Sequence, residues 1–325
     1  MKKLSVIISN RNDLAMLSVT VRSCIEELRP LGLENCEIII VDNSNENFYK
    51  LLSSVIPTGY VKERLIKVYR QDFPCLFTAR DLAVEKASAQ YISCVDSHMI
   101  IGRDMFLDLY NFMEKNKDDK TLAFAHAPIS WSHQHERSAK HDRDMSINEL
   151  GNWGSAYKTP RTITWKGMPW ICRRSLWQDI NGYGALSQHK LSWGGGDMHI
   201  GIKPWMLGLK NYAVPTNPGI HIGPFPNIDR DSDDSSVTKI GAYRLWSKSG
   251  QGPATLGFLV SCYVLGGEPM MLRNKAAINE RFGKYLNVDM NWDKAIAFGK
   301  DEKAWLDQRK VFTFEDLLSQ KPWEA

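Results

Sequence analysis

The stretch YISCVDSHMII, residues 91–101, indicates the fold class and places the first candidate site. It is a short apolar run, typical of a buried strand, that ends abruptly in Asp96, Ser97 and His98. Residues two apart on a strand project to the same side, so the Asp96 carboxylate and the His98 imidazole are expected to point together beyond the strand end. Such a pair suits Mn²⁺ or a similar divalent cation, which can neutralise a diphosphate. The alternative is a strand that runs into a polar turn, because short motifs recur by chance.

The beginning of the chain has the pattern of a β-α-β unit. Residues 4–9 form an apolar run, and a helix with apolar side chains at spacings of three and four follows over residues 14–28. Asn12 or Asp13 is expected to cap that helix. A second apolar run, residues 37–41, predicts the next parallel strand. The sequence therefore predicts an α/β protein with a mainly parallel sheet.

Polar residues follow each predicted strand, and parallel strands bring them to one edge. Asn10 and Asp42 end the first two strands and are expected to lie side by side there. Asp42 has two open interpretations, a contact with uracil or ribose and a cap on the following helix. Residues 66–69 predict a third strand, and the helix predicted over residues 77–87 carries Arg80 one turn from its start.

Composition and net charge bear on nucleic-acid binding, redox compartment and membrane insertion. At 325 residues, a formal net charge of +4 gives no basis for nucleic-acid binding by itself. The six cysteines are widely spread without CxxC spacing, which favours a reducing compartment, and we expect a cytoplasmic location. No apolar stretch approaches the ~20 residues that a membrane-spanning helix needs. The sequence is therefore expected to have no transmembrane segment.

Three blocks together resemble a known family. SVIISNRND (5–13), EIIIVDNSN (37–45) and TARDLAVEKASAQYISCVDSH (78–98) resemble, in order and spacing, the donor half of the GT-A glycosyltransferases, the group that includes the family 2 enzymes. Those enzymes typically read SVIIPTYN, IIVVDDGS and ARNxGxxxAxGxxixFLDxD. His98 in the third position of the metal motif is similar to the DxH variant of the polypeptide N-acetylgalactosaminyltransferases.

The resemblance implies a GT-A, Rossmann-like fold and a bound nucleotide-diphosphate sugar with Mn²⁺. It places Asp42 near the uridine, Arg80 near the phosphates, and Asp96 with His98 at the metal. Asn10 and Ser97 share that edge and are expected to contribute to donor binding. The third metal ligand in such enzymes is a histidine after the acceptor helix and strand, which His221 matches, with His199 as the alternative.

A second motif is WGGGDMH, residues 193–199, which resembles the WGGEDxE or WGGENxE acceptor-side motif of these enzymes. Gly194 and Gly195 would allow close approach of a sugar, and Trp193 offers an apolar platform for it. Gly196 stands where the family has glutamate, so one sugar contact is missing. Asp197 matches the general base of inverting relatives such as the β-1,4-galactosyltransferases, whereas the DxH relatives have asparagine. It is alternatively a helix N-cap.

The expected domain organisation is a GT-A domain over residues 1–238 and a helical extension over residues 239–325. The donor half would be about residues 1–128 and the acceptor half about residues 129–238. Within the latter, the histidine- and tryptophan-containing segment 130–166 is interpreted as an acceptor-side loop rather than a zinc site, and residues 229–236 as a lid or a linker. In the extension, residues 276–285 and 302–317 are each predicted to be one amphipathic helix.

These observations predict a metal-dependent hexosyl- or N-acetylhexosaminyltransferase that uses a UDP-linked donor. The acceptor hydroxyl would lie on a glycan, a protein or a modified nucleic-acid base. The alternative is a catalytically silent nucleotide-sugar-binding or regulatory protein on the same fold. The sugar, the stereochemical outcome and the oligomeric state are left open by the sequence.

Overall fold

A computed structural model describes residues 2–131, 143–145, 153–156, 161–162, 168–192, 194–222, 254–282 and 288–320. Within these residues the chain forms a central eight-stranded sheet flanked by helices, with the strand order β10-β12-β6-β11-β4-β1-β2-β3. A three-stranded sheet, β5-β13-β7, and a two-stranded sheet, β8-β9, accompany it. The α/β fold class predicted from the sequence is confirmed.

The strands are β1 (Leu4–Asn10), β2 (Cys36–Asp42), β3 (Ile66–Arg70), β4 (Tyr91–Asp96), β5 (Met99–Ile100), β6 (Leu122–His126), β7 (Ile129–Trp131), β8 (Arg143–Met145), β9 (Trp153–Ala156), β10 (Arg161–Thr162), β11 (Trp170–Arg173), β12 (Lys210–Ala213) and β13 (Gly219–His221). The helices are α1 (Leu14–Leu28), α2 (Glu46–Val55), α3 (Thr58–Lys62), α4 (Leu76–Lys86), α5 (Met105–Lys115), α6 (Arg174–Asp179), α7 (Gly184–Gln188), α8 (Gly196–Met206), α9 (Ala254–Phe282), α10 (Trp292–Asp307) and α11 (Phe314–Gln320).

Four parallel strands, β4-β1-β2-β3, form the half of the sheet that carries the first polar cluster. In β1, β2 and β4 nearly all residues are buried and most are apolar, as is typical of strands that are covered on both faces. Strand β3 is buried only at Ile66. The register aligns Asn10 with Asp42 and Asp42 with Arg70, while Ser9 is level with Asp96. The terminal polar residues of four strands therefore lie along one edge of the sheet.

The other half of the sheet mixes directions. Strand β11 is antiparallel to both β4 and β6, and β12 is parallel to β6. The chain then crosses to the small sheet, where β13 pairs antiparallel with β5, and His221 is level with Met99. This pairing brings His221 next to the turn that follows β4, although 123 residues separate it from His98 in the chain.

The C-terminal helices pack on the sheet domain through α7 and α8. Helix α9 contacts both of these helices, and α10 contacts α7 and α9. Helix α9 is bent at Gly267, where φ is 66°. The boundary predicted at residue 238 lies outside the described residues.

The single helix predicted over residues 302–317 is wrong. Helix α10 ends at Asp307 and α11 begins at Phe314. Between them the backbone N–H groups of Val311 and Phe312 donate to the carbonyl of Met206, at 2.7 and 3.1 Å. The segment between the two helices is not helical because these hydrogen bonds attach it to the C-terminal end of α8.

The six cysteines are buried and unpaired. Among the described residues, no helix has both the length and the apolar character needed to span a membrane.

Candidate functional site

The turn after β4 and strand β13 bring together the three predicted metal ligands. Asp96, His98 and His221 each turn one ligand atom toward the others, and these atoms lie within 4.8 Å of one another. The Nε2 atoms of the two histidines are 3.0 Å apart, and the Nε2 atom of His221 is 3.7 Å from Oδ2 of Asp96. One carboxylate and two imidazoles suit a divalent transition metal such as Mn²⁺. The donor set and its convergence fit the metal that the sequence predicts.

Helix α1 fixes the backbone of the turn that carries two of these ligands. The hydroxyl of Thr20 donates to the carbonyls of Ser97 and Met99 at 3.0 and 2.9 Å, and it accepts from the N–H of Met99 at 2.8 Å. Thr20 is fully buried. Ser97, predicted as a donor-binding residue, is 6 % exposed, and its hydroxyl lies 3.4 Å from Nδ1 of His98. Hydrogen bonds within the protein therefore fix the backbone of this turn.

Arg80 lies behind the metal ligands and is 4 % exposed. Its guanidinium donates to Oδ1 of Asp96 at 2.9 Å and to the hydroxyl of Tyr183 at 2.9 Å. Burial alone would lower the pKa of Arg80, but Tyr183, Cys94, Asp96 and Asp197 together raise it. Arg80 is therefore a fixed cation that orients Asp96 and leaves its Oδ2 atom toward His221.

Asp42 is fully buried, and protein groups occupy both of its carboxylate oxygens. Oδ1 accepts from the Asn10 amide and the Ser44 hydroxyl at 2.6 and 2.7 Å, and Oδ2 accepts from Arg70 at 3.1 Å and from the Ser44 N–H at 3.2 Å. Asn10 and Asp42 are side by side, as predicted. The Asp42 carboxylate therefore connects the ends of β1, β2 and β3 by hydrogen bonds. The Oδ1 atom of Asn10 is buried without a hydrogen-bond partner among the described residues.

The acceptor-side motif opens helix α8, which begins at Gly196 and has Gly195 as its N-cap residue. Gly194 and Gly195 have φ of 106° and 76°, a region that favours glycine. A Cβ on Gly195 would lie 2.7 Å from the Ser261 hydroxyl of α9, so this glycine allows packing of α9 against the motif. Asp197 lies in the first turn of α8, is half-buried, and is close enough to Arg80 to raise its pKa. Trp193 lies outside the described residues.

Phe77 fills the space beside Gly196, the position of the family's glutamate. A Cβ on Gly196 would lie 2.4 Å from Cε1 of Phe77. Phe77 is 1 % exposed and packs on Tyr183 with ring centroids 4.9 Å apart. A longer side chain at position 196 would therefore require Phe77 to move.

His199, the alternative metal ligand, belongs to a different cluster. Its Nε2 atom is 3.0 Å from Oε1 of Glu302, which also accepts from Nζ of Lys203 at 2.8 Å. Oε2 of Glu302 accepts from the N–H of Ala185 at 2.6 Å. Burial alone would raise the pKa of Glu302, but His199 and Lys203 hold it at about 2. This buried charge cluster (His199, Lys203 and Glu302) joins α8 to α10.

The structure adds residues that sequence reasoning missed. The sequence alone does not identify Tyr183, Glu302 and Phe77, because their partners are distant in the chain and no local pattern marks them. Tyr183 directly follows Gly182, whose φ is 43°, in a turn between α6 and α7. The turn signal in NGY, residues 181–183, was visible in the sequence, but the tyrosine's contact with Arg80 was not. The proposed lid, residues 229–236, and most of segment 130–166 lie outside the described residues.

Comparison with known proteins agrees with this fold. The family model "Glycosyl transferase family 2" matches residues 5–165. A crystal structure of GalNAc-T7 with UDP, GalNAc and Mn²⁺ superposes with a TM-score of 0.64 at 17 % identity, covering 99 % of this chain and 58 % of that one. S. aureus TarS gives a TM-score of 0.49 at 13 % identity, covering 94 % of this chain and 55 % of TarS. Its fragment 1–349 gives the same score and identity, with 90 % of the fragment covered.

No curated protein sequence matches the chain significantly. The chain spans 58 % of the length of GalNAc-T7 and 55 % of that of TarS. The GalNAc-T7 superposition shows the fold, and the family model describes the sequence of residues 5–165. Residues 5–165 thus match the model of the family 2 glycosyltransferases, and the chain has a GT-A-like fold.

Proposed function

We propose that this protein transfers a sugar from a nucleotide-diphosphate donor, UDP-linked, to an acceptor hydroxyl, with Mn²⁺ or a similar cation bound by Asp96, His98 and His221. The convergence of these three side chains within 4.8 Å carries the proposal. When bound, the cation offsets the negative charge that builds on the departing diphosphate. The family match of residues 5–165 supports the same reaction class.

Arg80 and Asp197 take the two catalytic roles in this proposal. Arg80 is a permanent cation beside Asp96, and it holds that carboxylate in place while adding positive charge near the leaving group. Asp197 orients or deprotonates the acceptor hydroxyl. It lies in the first turn of α8, close enough to Arg80 to raise the pKa of that guanidinium. Asp197 is half-buried.

The nucleoside occupies the edge formed by the ends of β1 and β2. The buried amide oxygens of Asn10 and Asn43 have no partner in the described part of the chain, so they can accept hydrogen bonds from a base or ribose. Asp42 acts there by holding the Asn10 amide. In this proposal the donor sugar is contacted by Ser97, Trp193, Gly194 and Gly195. The transferase unit is residues 1–238, and residues 239–325 form a helical extension that supports it.

A hydrolysis panel tests the proposal. Uridine and guanosine diphosphate sugars are supplied with Mn²⁺ or with chelator, and release of the nucleoside diphosphate is measured. We expect Mn²⁺-dependent release from one UDP-sugar, lost in Asp96→Asn and retained in the control Asp118→Asn, which changes an exposed aspartate. Asparagine keeps an acceptor for Arg80, so the variant should fold. Metal-independent release, or full activity of Asp96→Asn, would refute the metal assignment.

One observation supports the second candidate function, a catalytically silent nucleotide-sugar-binding protein. Phe77 occupies the space of the family's glutamate at position 196, so a sugar contact of the active enzymes is replaced by an apolar ring. Calorimetry with UDP and UDP-sugars separates the two functions. Binding without hydrolysis, and without transfer to any glycan, protein or nucleic-acid acceptor supplied, would favour the silent protein.

A further inference from the structure

Asp13 stands at the N-cap position of helix α1, yet its carboxylate does not cap the helix. Its backbone carbonyl accepts the first helical bond, from the N–H of Leu17 at 3.0 Å. Its side chain makes no capping hydrogen bond within the described residues. An aspartate at this position ordinarily accepts from the second or third N–H of the helix. Asp13 therefore occupies the predicted N-cap position of α1, but the capping hydrogen bond expected of its side chain is absent from the described structure.

The carboxylate points instead at a proposed metal ligand. Oδ2 of Asp13 lies 3.3 Å from Nδ1 of His98, and the Asp13 side chain is 12 % exposed. The other ring nitrogen of His98, Nε2, faces the Nε2 atom of His221 at 3.0 Å. The two nitrogens of one imidazole thus have separate surroundings, a carboxylate at Nδ1 and the ligand cluster at Nε2.

The preceding residue explains why the side chain turns this way. Asn12 has a left-handed backbone, with φ of 54°, and it is 5 % exposed. Its N–H donates to the Ser44 hydroxyl at 2.7 Å, and its side-chain oxygen accepts from the N–H of Asn45 at 2.8 Å. Two bonds to the loop after β2 hold Asn12 in this conformation. The chain therefore enters α1 with Asp13 directed across the sheet edge toward His98.

We infer that Asp13 is a positioning residue for His98. It accepts the Nδ1–H of the imidazole, so that the lone pair of Nε2 remains available for a divalent cation. Metal-binding histidines commonly donate their second N–H to a carboxylate, which fixes both the tautomer and the ring orientation. The Ser97 hydroxyl, 3.4 Å from the same nitrogen, is the competing partner for Nδ1. The inference rests on the proposed metal site.

The matched test compares Asp13→Ser with Asp104→Ser. Serine is a good N-cap residue but too short to reach His98, so it supplies the missing cap and removes the carboxylate. Asp104 is the N-cap residue of α5, likewise without a capping bond in the described structure. Mn²⁺ affinity is measured by calorimetry without any nucleotide, and thermal unfolding is measured in chelator.

We expect Asp13→Ser to bind Mn²⁺ about 10- to 100-fold more weakly than the wild type while unfolding in chelator at an equal or higher temperature. Asp13→Asn should bind with intermediate affinity, since its amide oxygen can still accept from Nδ1–H without the charge. Asp104→Ser should bind as the wild type does. In ¹H–¹⁵N spectra without metal, His98 should be protonated at Nδ1 in the wild type and lose that preference in Asp13→Ser.

Two results would overturn the inference. Wild-type Mn²⁺ affinity in Asp13→Ser would leave the metal site intact and remove the role of Asp13. Parallel loss of affinity and of metal-free stability in that variant would make Asp13 a structural residue. A wild type that binds no Mn²⁺ would instead remove the metal site itself and refute both proposals, which separates the two failures.

Discussion

Two clusters in this molecule each combine histidine with a carboxylate, and they differ in what their polar atoms face. In the metal-ligand cluster, Asp96, His98 and His221 turn their ligand atoms toward one common space. In the buried charge cluster, His199, Lys203 and Glu302 bond to one another. Glu302 there also accepts a backbone N–H, and Lys203 donates to the carbonyl of Gly182 at 2.7 Å.

The pairing of charges distinguishes a ligand site from a structural one. Lys203 and Glu302 of the buried cluster lie within hydrogen-bond distance of each other, and His199 lies 3.0 Å from the same carboxylate, so the buried charges are paired without a ligand. The metal-ligand cluster places two imidazole nitrogens 3.0 Å apart beside one carboxylate, an arrangement that a cation completes. Substitutions in the two clusters should therefore differ in their effect on the unfolding free energy of the metal-free protein.

The largest loss is expected from Glu302→Ala. It leaves Lys203 buried without its counter-charge, and breaking a buried ion pair in this way costs about 3–5 kcal/mol. Urea unfolding in chelator measures it, with Asp301→Ala as the control because Asp301 is the exposed neighbour on α10. Molecules that remain folded should bind Mn²⁺ normally. A loss below about 1 kcal/mol would contradict the structural role of the cluster.

Acid should weaken the same cluster. The pKa of Glu302 is about 2 in the folded protein and 4.5 ordinarily, so its contribution is complete above pH 4.5 and is lost as the pH falls toward 2. The shift corresponds to roughly 3 kcal/mol. Burial lowers the pKa of His199 from 6.5, so its contribution also declines as the pH falls below 6.5. Between pH 7 and pH 3 the stability of Glu302→Gln should fall less than that of the wild type, and parallel profiles would contradict the assignment.

The sequence was sufficient to predict the sheet edge. Apolar runs that end in polar residues predict strands and the place where they stop, so Asn10, Asp42 and Asp96 could be placed together before any coordinates were known. The metal-ligand cluster required one more step, the pairing of β13 with β5. Spacing alone could not predict that pairing, and the resemblance to GT-A enzymes supplied His221.

The buried charge cluster could not be predicted, for a physical reason. Glu302 lies 117 residues from Ala185 and 99 from Lys203, and on an amphipathic helix a glutamate is ordinarily a solvent-facing residue. Local patterns report propensity, whereas burial of a charge depends on which distant partner reaches it. Asp13 is similar, because residue type predicted the cap position correctly but not the direction of the carboxylate.

Tyr183→Phe should have a smaller effect that links the two clusters. The Tyr183 hydroxyl accepts from Arg80, which in turn holds Asp96, while the next residue, Gly184, lies against Glu302. Losing this charge-assisted hydrogen bond should cost about 1–2 kcal/mol of stability and weaken Mn²⁺ binding, since Asp96 loses part of its support. Tyr60→Phe, on a partly exposed tyrosine of α3, is the control. Unchanged Mn²⁺ affinity in Tyr183→Phe would show that Arg80 holds Asp96 without help.

The smallest change in metal-free stability is expected from His98→Ala. The His98 side chain is 28 % exposed, and its nitrogens contact Asp13 and His221 rather than the apolar core, so its loss should change the unfolding free energy by less than about 1 kcal/mol. Added Mn²⁺ should raise the melting temperature of the wild type, because a ligand that binds only the folded state stabilises it, and this rise should disappear in His98→Ala. His189→Ala, on an exposed histidine, should keep the rise. If His98→Ala instead lost several kcal/mol in chelator, His98 would be a structural residue like His199, and the distinction between the two clusters would fail.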